Sequence, residues 1–179
     1  QLFLVKDNIK FPFLHSGAMN LGLSEVNMDF PKNFISSVCN LYQIKGYCSI
    51  DFKILDNNIY ILDFNPRLSS SYRLYTRKYE NLMHHHLGLI NNEVNMINNQ
   101  YHAYIILYAK KDLVISDSIN ELENISDRPT IGDSIKKDMP LFTINLHSND
   151  KDDILFKIKN RIISAMKIID CYNTQLEYE

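Results

Sequence analysis

The sequence predicts an α+β fold: a mixed or antiparallel sheet carrying helices on its apolar face, followed by a small α+β tail. Three features carry this expectation. Residues 47–65 alternate apolar and polar side chains on both sides of a turn, as a hairpin does. Residues 32–45 and 150–169 repeat their apolar positions at helical spacing. Between these regions lies the polar run "NNEVNMINNQ", after which "YHAYIILYA" opens a new strand. The boundary is placed there, giving a first domain over 1–92 and a second over 100–172.

In chain order, "LFLVK" and "IKFPFLH" flank Asp7-Asn8 and suggest a hairpin. "SGAMNLGLSEVNMDFP" holds two of the five glycines and Pro31, and reads as loop. Over 32–45, Phe34, Ile35, Val38, Leu41 and Tyr42 share one helical face, and Gly46 closes the helix. Two strands follow, at 47–55 and 59–65; then 68–76 is serine-rich and irregular, and 77–90 reads as helix. In the second part, "LVIS" and "LFTINLH" read as strands, and "SDRPTIGDSIKKDMP" as turns around a short strand. The helix over 150–169 has Asp150, Asp152 and Asp153 at its start, where the helix dipole favours anions. Its expected buried stripe is Ile154, Leu155, Ile158, Ile162, Met166 and Ile169.

Composition narrows the function. The 179 residues are 45% hydrophobic, enough for a real core, and the net charge is only −2. A nucleic-acid or anionic-membrane partner is disfavoured, because neither surface is matched by a basic excess. No apolar run approaches the roughly 20 residues of a membrane span, and no signal peptide opens the chain. The three cysteines, Cys39, Cys48 and Cys171, are scattered and read as reduced thiols of a cytoplasmic protein. The first residue is Gln and the chain begins directly in strand-like sequence, which suggests the C-terminal part of something longer.

The hairpin "YCSIDFKILDNNIYILDFN" carries the chemistry. With a three-residue loop at Asp56-Asn57-Asn58, Leu55 faces Ile59, Lys53 faces Ile61 and Asp51 faces Asp63. One face then holds Cys48, Ile50, Phe52, Ile54, Tyr60, Leu62 and Phe64, the expected core face. The other holds Ser49, Asp51, Lys53, Asp63 and Asn65, with Arg67 just beyond. Like charges directly opposite each other repel, so the two aspartates need open water or a cation. Two carboxylates and an amide oxygen suit Mg²⁺ or Mn²⁺, not zinc. Arg67 could hold a phosphate oxygen beside the ion. The alternative is a solvated face on which Lys53 neutralises one aspartate.

The stretch "GYCSIDFKILDNNIYILDFNPRLSSSY" resembles the ATP-grasp superfamily. That resemblance implies that Asp51, Asp63 and Asn65 bind the Mg²⁺ ions bridging the ATP phosphates, and that Arg67 attends the phosphates or the reacting acyl group. It also implies that Ser69, Ser70 and Ser71 lie by the acceptor substrate, with Tyr72 and Arg73 as further contacts. "NPRLSSSY" looks most like the branch of carboligase-like proteins and the tyramine–glutamate ligase. The tail "SDRPTIGDSIKKDMPLFTINLHS" resembles that branch's end, with Asp138 where the pattern has Gly, a change expected to alter only the turn. Asp63 stands where the family usually has Glu.

The implied activity is an ATP- and Mg²⁺-dependent ligase forming an acylphosphate and joining a carboxylate to an amine, with a homodimer compatible with it. The lobe that holds adenine is expected to lie N-terminal to this stretch, which alone is expected to be inactive. A carboxylase using bicarbonate shares the same metal site and stays open, as does a degenerate lobe with a structural or weak metal- or nucleotide-binding role. "MHHHLG" at 83–88 is not a metal motif, because adjacent helical residues point to different faces; one histidine is expected to pack inward.

Overall fold

The structure is a computed structural model describing residues 2–5, 15–20, 27–56 and 58–172, with side chains over 15–20, 27–56 and 58–168. In chain order it contains β1 (Leu2–Val5), β2 (His15–Met19), α1 (Asp29–Tyr42), β3 (Ser49–Leu55), β4 (Asn58–Asn65), α2 (Tyr72–Tyr75) and α3 (Leu82–His86). There follow β5 (Tyr101–Tyr108), β6 (Leu113–Val114), a 3₁₀ turn at Asp117–Glu121, β7 (Ile125–Ser126), β8 (Ser134–Ile135), β9 (Pro140–Ser148) and α4 (Lys151–Tyr172). The class is α+β with antiparallel sheets, as expected. No helix among the described residues is long and apolar enough to cross a membrane.

The chain divides into two compact units, Gln1–Leu21 with Gln100–Glu179, and Gly22–Asn99. The first is built on a five-stranded sheet in the order β1-β2-β5-β9-β7, every pair antiparallel. Ile115, Ile119, Leu122, Phe142, Ile144 and Ala165 form its main cluster. Met19, Ala103 and Ile154 form a second. The α4 stripe follows Ile154, Ile158, Ala165 and Ile168. Leu155, expected inside, is 41% exposed, because the helix turns its 154–158–165 line to the sheet; Ile169 lies outside the described side chains. Asp150 caps α4, accepting the Asp153 N–H at 2.8 Å.

One expectation fails here for a reason of close packing. The loop expected from Ser16 to Met19 is strand β2, held between β1 and β5. Its small residues are what the position requires. Gly17 has φ +148°, and a Cβ there would sit 2.2 Å from the Tyr104 carbonyl oxygen. The earlier hairpin expectation, apart from β1 and His15, falls in residues 6–14, outside the described residues, as do residues 21–26 of the expected loop. Asp138, at the position where the resembled pattern has Gly, takes φ +68° and donates its N–H to Ala109 O at 2.7 Å. An aspartate thus occupies a left-handed turn position here.

The unit Gly22–Asn99 is built on the β3–β4 hairpin. Helix α1 starts earlier than expected, because Pro31 sits in its first turn, where no N–H is needed. It lays Phe34 edge-on against Phe64, with ring centroids 6.2 Å apart and planes at 79°. Leu41 and Tyr42, expected on the buried face, are exposed at its end. Gln43, in the left-handed conformation, terminates the helix three residues before Gly46.

The helix expected over 77–90 shrinks to Leu82–His86. Asn81 has φ +51°, which no helix interior allows. The residues before it pair with the supposed linker instead: Tyr79 bridges Met96, and Ile97 N donates to Lys78 O at 2.9 Å. The irregular run 68–76 contains the short helix α2, with Leu74 buried.

Candidate functional site

The site is a product of the hairpin ladder. At its tip Leu55 pairs with Asn58, so the loop has two residues and not the expected three; Asn57 lies outside the described residues. Asp56 has φ +50°, as tight two-residue turns demand. A regular ladder from that tip would put Leu62 opposite Asp51. The register instead shifts between Asp51 and Phe52, so that Phe52 pairs with Ile61 and Asp51 with Asp63. Leu62 is the extra residue of a β-bulge. The expected opposition of the two aspartates is therefore present, reached by a different backbone path.

The bulge also redraws the faces. Lys53 pairs with Tyr60 and Ile54 with Ile59, which corrects the expected pairs Lys53–Ile61 and Leu55–Ile59. The apolar face consists of Ile50, Phe52, Ile54, Ile59, Ile61 and Phe64. Tyr60 and Leu62, expected in the core, are out in solvent, Leu62 at 68% exposure, and Ile54 near the tip is also exposed.

On the polar face, Ser49 pairs with Asn65 directly beside the Asp51–Asp63 pair. Asn65 Nδ2 donates to Asp63 Oδ2 at 3.0 Å, and the Phe64 N–H donates to Asp63 Oδ1 at 2.9 Å. The Asn65 side chain is thus tied to Asp63. Among the described residues no ion pair joins Lys53 to either aspartate, so the repulsion is not relieved by the one lysine of that face. Ser49 Oγ is buried and has no hydrogen-bond partner among the described residues. Such an atom is costly unless something polar reaches it. Two carboxylates, one amide oxygen and one orphan hydroxyl form a hard-oxygen donor set that fits Mg²⁺ or Mn²⁺. Among the described residues no cluster of three or more His, Cys, Asp or Glu side chains offers a competing centre.

Pro66 and Arg67 turn the chain away at the end of β4. Arg67 is exposed, and its Nη1 donates to Leu68 O at 3.1 Å. The structure brings it no carboxylate partner among the described residues. Ser69 and Ser71 share a hydrogen bond of 2.5 Å, and Ser71 is buried. The Ser69 and Ser71 carbonyls accept from Tyr72 and Leu74, so this run starts α2 and leaves Ser70 facing out. Arg73, on α2, is exposed as well.

One positioning device was not foreseen. The Tyr47 N–H donates to His86 Nδ1 at 3.0 Å, and the two rings stack 6.2 Å apart at 9°. Burial raises the Tyr47 phenol, and the neighbouring Tyr72 adds to it. Gly46 has φ +82°, and a Cβ there would lie 2.6 Å from the His86 carbonyl oxygen. His86 is thus the inward histidine of the "HHH" run, and it anchors the entry to β3. The glycine before Tyr47 was the signal that the sequence offered.

The described residues share their α+β fold with parts of several solved structures. The solved structures similar to the chain include an L-amino acid ligase from Bacillus licheniformis, with TM-score 0.62 and 12% identity over 83% of this chain and 43% of that one. A phosphoribosylaminoimidazole carboxylase ATPase subunit from Aquifex aeolicus has TM-score 0.59 and 14% identity, covering 90% and 52%. N5-carboxyaminoimidazole ribonucleotide synthetase from Thermus thermophilus has TM-score 0.53 and 11% identity, covering 93% and 44%. An uncharacterized protein of Methanocaldococcus jannaschii is 30% identical over 133 residues, which are 71% of this chain and 33% of that protein. The chain thus spans about a third of this relative and about half of each solved structure. No protein-family model matches the chain.

Proposed function

We propose that this chain is the C-terminal portion of an ATP- and Mg²⁺-dependent ligase that turns a carboxylate into an acylphosphate and passes the acyl group to an amine. The observation that carries this reading is the Asp51–Asp63 opposition, restored by a bulge and left without a protein cation among the described residues. Asp51, Asp63 and Asn65 are the residues to hold the metal, with Ser49 Oγ beside them. Bound there, Mg²⁺ or Mn²⁺ would neutralise charge on the transferring phosphoryl group. Arg67, exposed and with donors to spare, binds a phosphate or acylphosphate oxygen. Ser69, Ser70 and Ser71 border the acceptor, Ser70 being the one that faces out. An amino-acid ligase among the similar folds supports the carboxylate–amine class. The "NPRLSSS" run supports the carboligase-like branch within it.

The test is calorimetric titration of the intact protein with Mn²⁺, with and without ATP, beside Asp63→Ala. Metal-dependent ATP binding should weaken at least about tenfold in the variant, about 1.4 kcal/mol. Thermal melts of the same samples should show Mn²⁺–ATP stabilising only the unaltered protein. Metal-independent nucleotide binding, or equal binding by the variant, sinks the reading.

A further inference from the structure

We propose that Cys39 and Cys48 are a redox-modification site, closing reversibly into a disulfide that ties the last turn of α1 to the residue before β3. The spacing of nine residues gives no hint of this, but the fold puts the two sulfurs 3.8 Å apart. Both thiols are free and half-buried, so a small oxidant can reach them. Bond formation requires the sulfurs to close to about 2.05 Å, a movement of under 2 Å that side-chain rotation can supply.

Both ends are held in place. The Cys39 carbonyl accepts the Gln43 and Ile44 N–H groups, the latter at 2.9 Å. Cys48 follows Tyr47, which is fixed on His86. The short connection between them is bent by the left-handed Gln43 and by Gly46. The arrangement therefore presents the sulfurs to each other persistently rather than in passing.

The oxidant class is a hydroperoxide. The Cys39 sulfur attacks the peroxide oxygen, the O–O bond breaks, and a sulfenic acid and an alcohol (water, from hydrogen peroxide) are formed. The Cys48 thiol then attacks the sulfenic sulfur. The S–S bond forms, the S–O bond breaks, and hydroxide leaves with the thiol proton as water. Two thiols lose two electrons and two protons, and the peroxide takes them. Burial, with a hydrogen bond to Cys39, raises the Cys48 thiol, which makes it the resolving partner. The inference does not rest on the ligase reading.

The test exposes the intact protein to hydrogen peroxide at neutral pH, alkylates the remaining thiols and maps peptides by mass spectrometry. The expected product is a Cys39–Cys48 linked peptide pair, two hydrogens lighter, regenerated by dithiothreitol and formed equally in Cys171→Ser. In Cys48→Ser, a dimedone adduct should accumulate on Cys39. The proposal is overturned if both thiols stay fully alkylatable after peroxide, if Cys171 supplies the linkage, or if Cys39 proceeds to sulfinic acid unlinked.

Discussion

The two units differ in how they are held. Among the described residues, the buried apolar side chains of Gly22–Asn99 are Pro31, Leu74 and Leu82. The unit built on the five-stranded sheet buries Met19, Tyr104, Phe142, Ile144 and Ile154 almost completely. The candidate site lies in the sparsely packed unit, and its geometry comes from backbone pairing, a bulge and a histidine anchor more than from a core. A site fixed by hydrogen-bonded register can tolerate open surroundings, because the ladder sets which side chains face each other. A sheet unit with a dense interior has no such latitude, since each lost methylene leaves a void.

This contrast can be broken at several points. The largest effect is expected in the dense unit. Ile144, fully buried, should cost about 3 kcal/mol when changed to Ala, whereas Leu62→Ala in the hairpin should cost under about 0.5 kcal/mol. Chemical denaturation of both variants measures the difference; equal losses would mean that the units are equally packed.

Next comes the anchor. Gly46→Ala forces a side chain into positive φ and against His86, and should cost about 2 kcal/mol. Hydrogen exchange should show the loss as faster opening of β3 and β4, with β5 and β9 unaffected.

The smallest effect is electrostatic. The Asp153 carboxyl is held below its ordinary value of 3.8, first by Lys157, 2.6 Å away, and then by the Ser148 hydroxyl. A depressed folded value stabilises the ionised fold. That contribution is complete above 3.8 and is lost as pH falls past it toward the lower folded value. The protection of the amides in the first turn of α4, taken relative to their intrinsic exchange at each pH, should therefore drop as pH falls below 3.8, and Asp153→Asn should flatten that dependence.

Much of this was legible. The long strands β5 and β9 and the helix α4 follow from uninterrupted patterns, and the opposed aspartates follow from counting around the turn. The failures have two sources, single residues in an unusual backbone state and pairings that no local pattern shows. Asn81 ends a helix that the side-chain pattern continues. Gly17 lies in a strand of small residues whose reason is the approach of Tyr104, far along the chain. The bulge at Leu62 is invisible because a two-residue loop plus one extra residue gives the same count as a three-residue loop. The Tyr47–His86 stack joins positions that no local pattern connects.

That coincidence of counting has a consequence for how such hairpins vary in length. Twelve positions separate the acids (63 − 51 = 12), yet removing Leu62 alone would leave a straight ladder with the same two aspartates face to face. The extra residue is not needed for their meeting; what it adds is local twist at the end of β4, just where the chain departs toward Arg67. The hairpin behaves as two segments joined by a swivel, a tip free to change loop type and a base whose partners stay fixed. Insertions and deletions of a single residue beyond the swivel can thus accumulate in the tip while the acids keep their pairing.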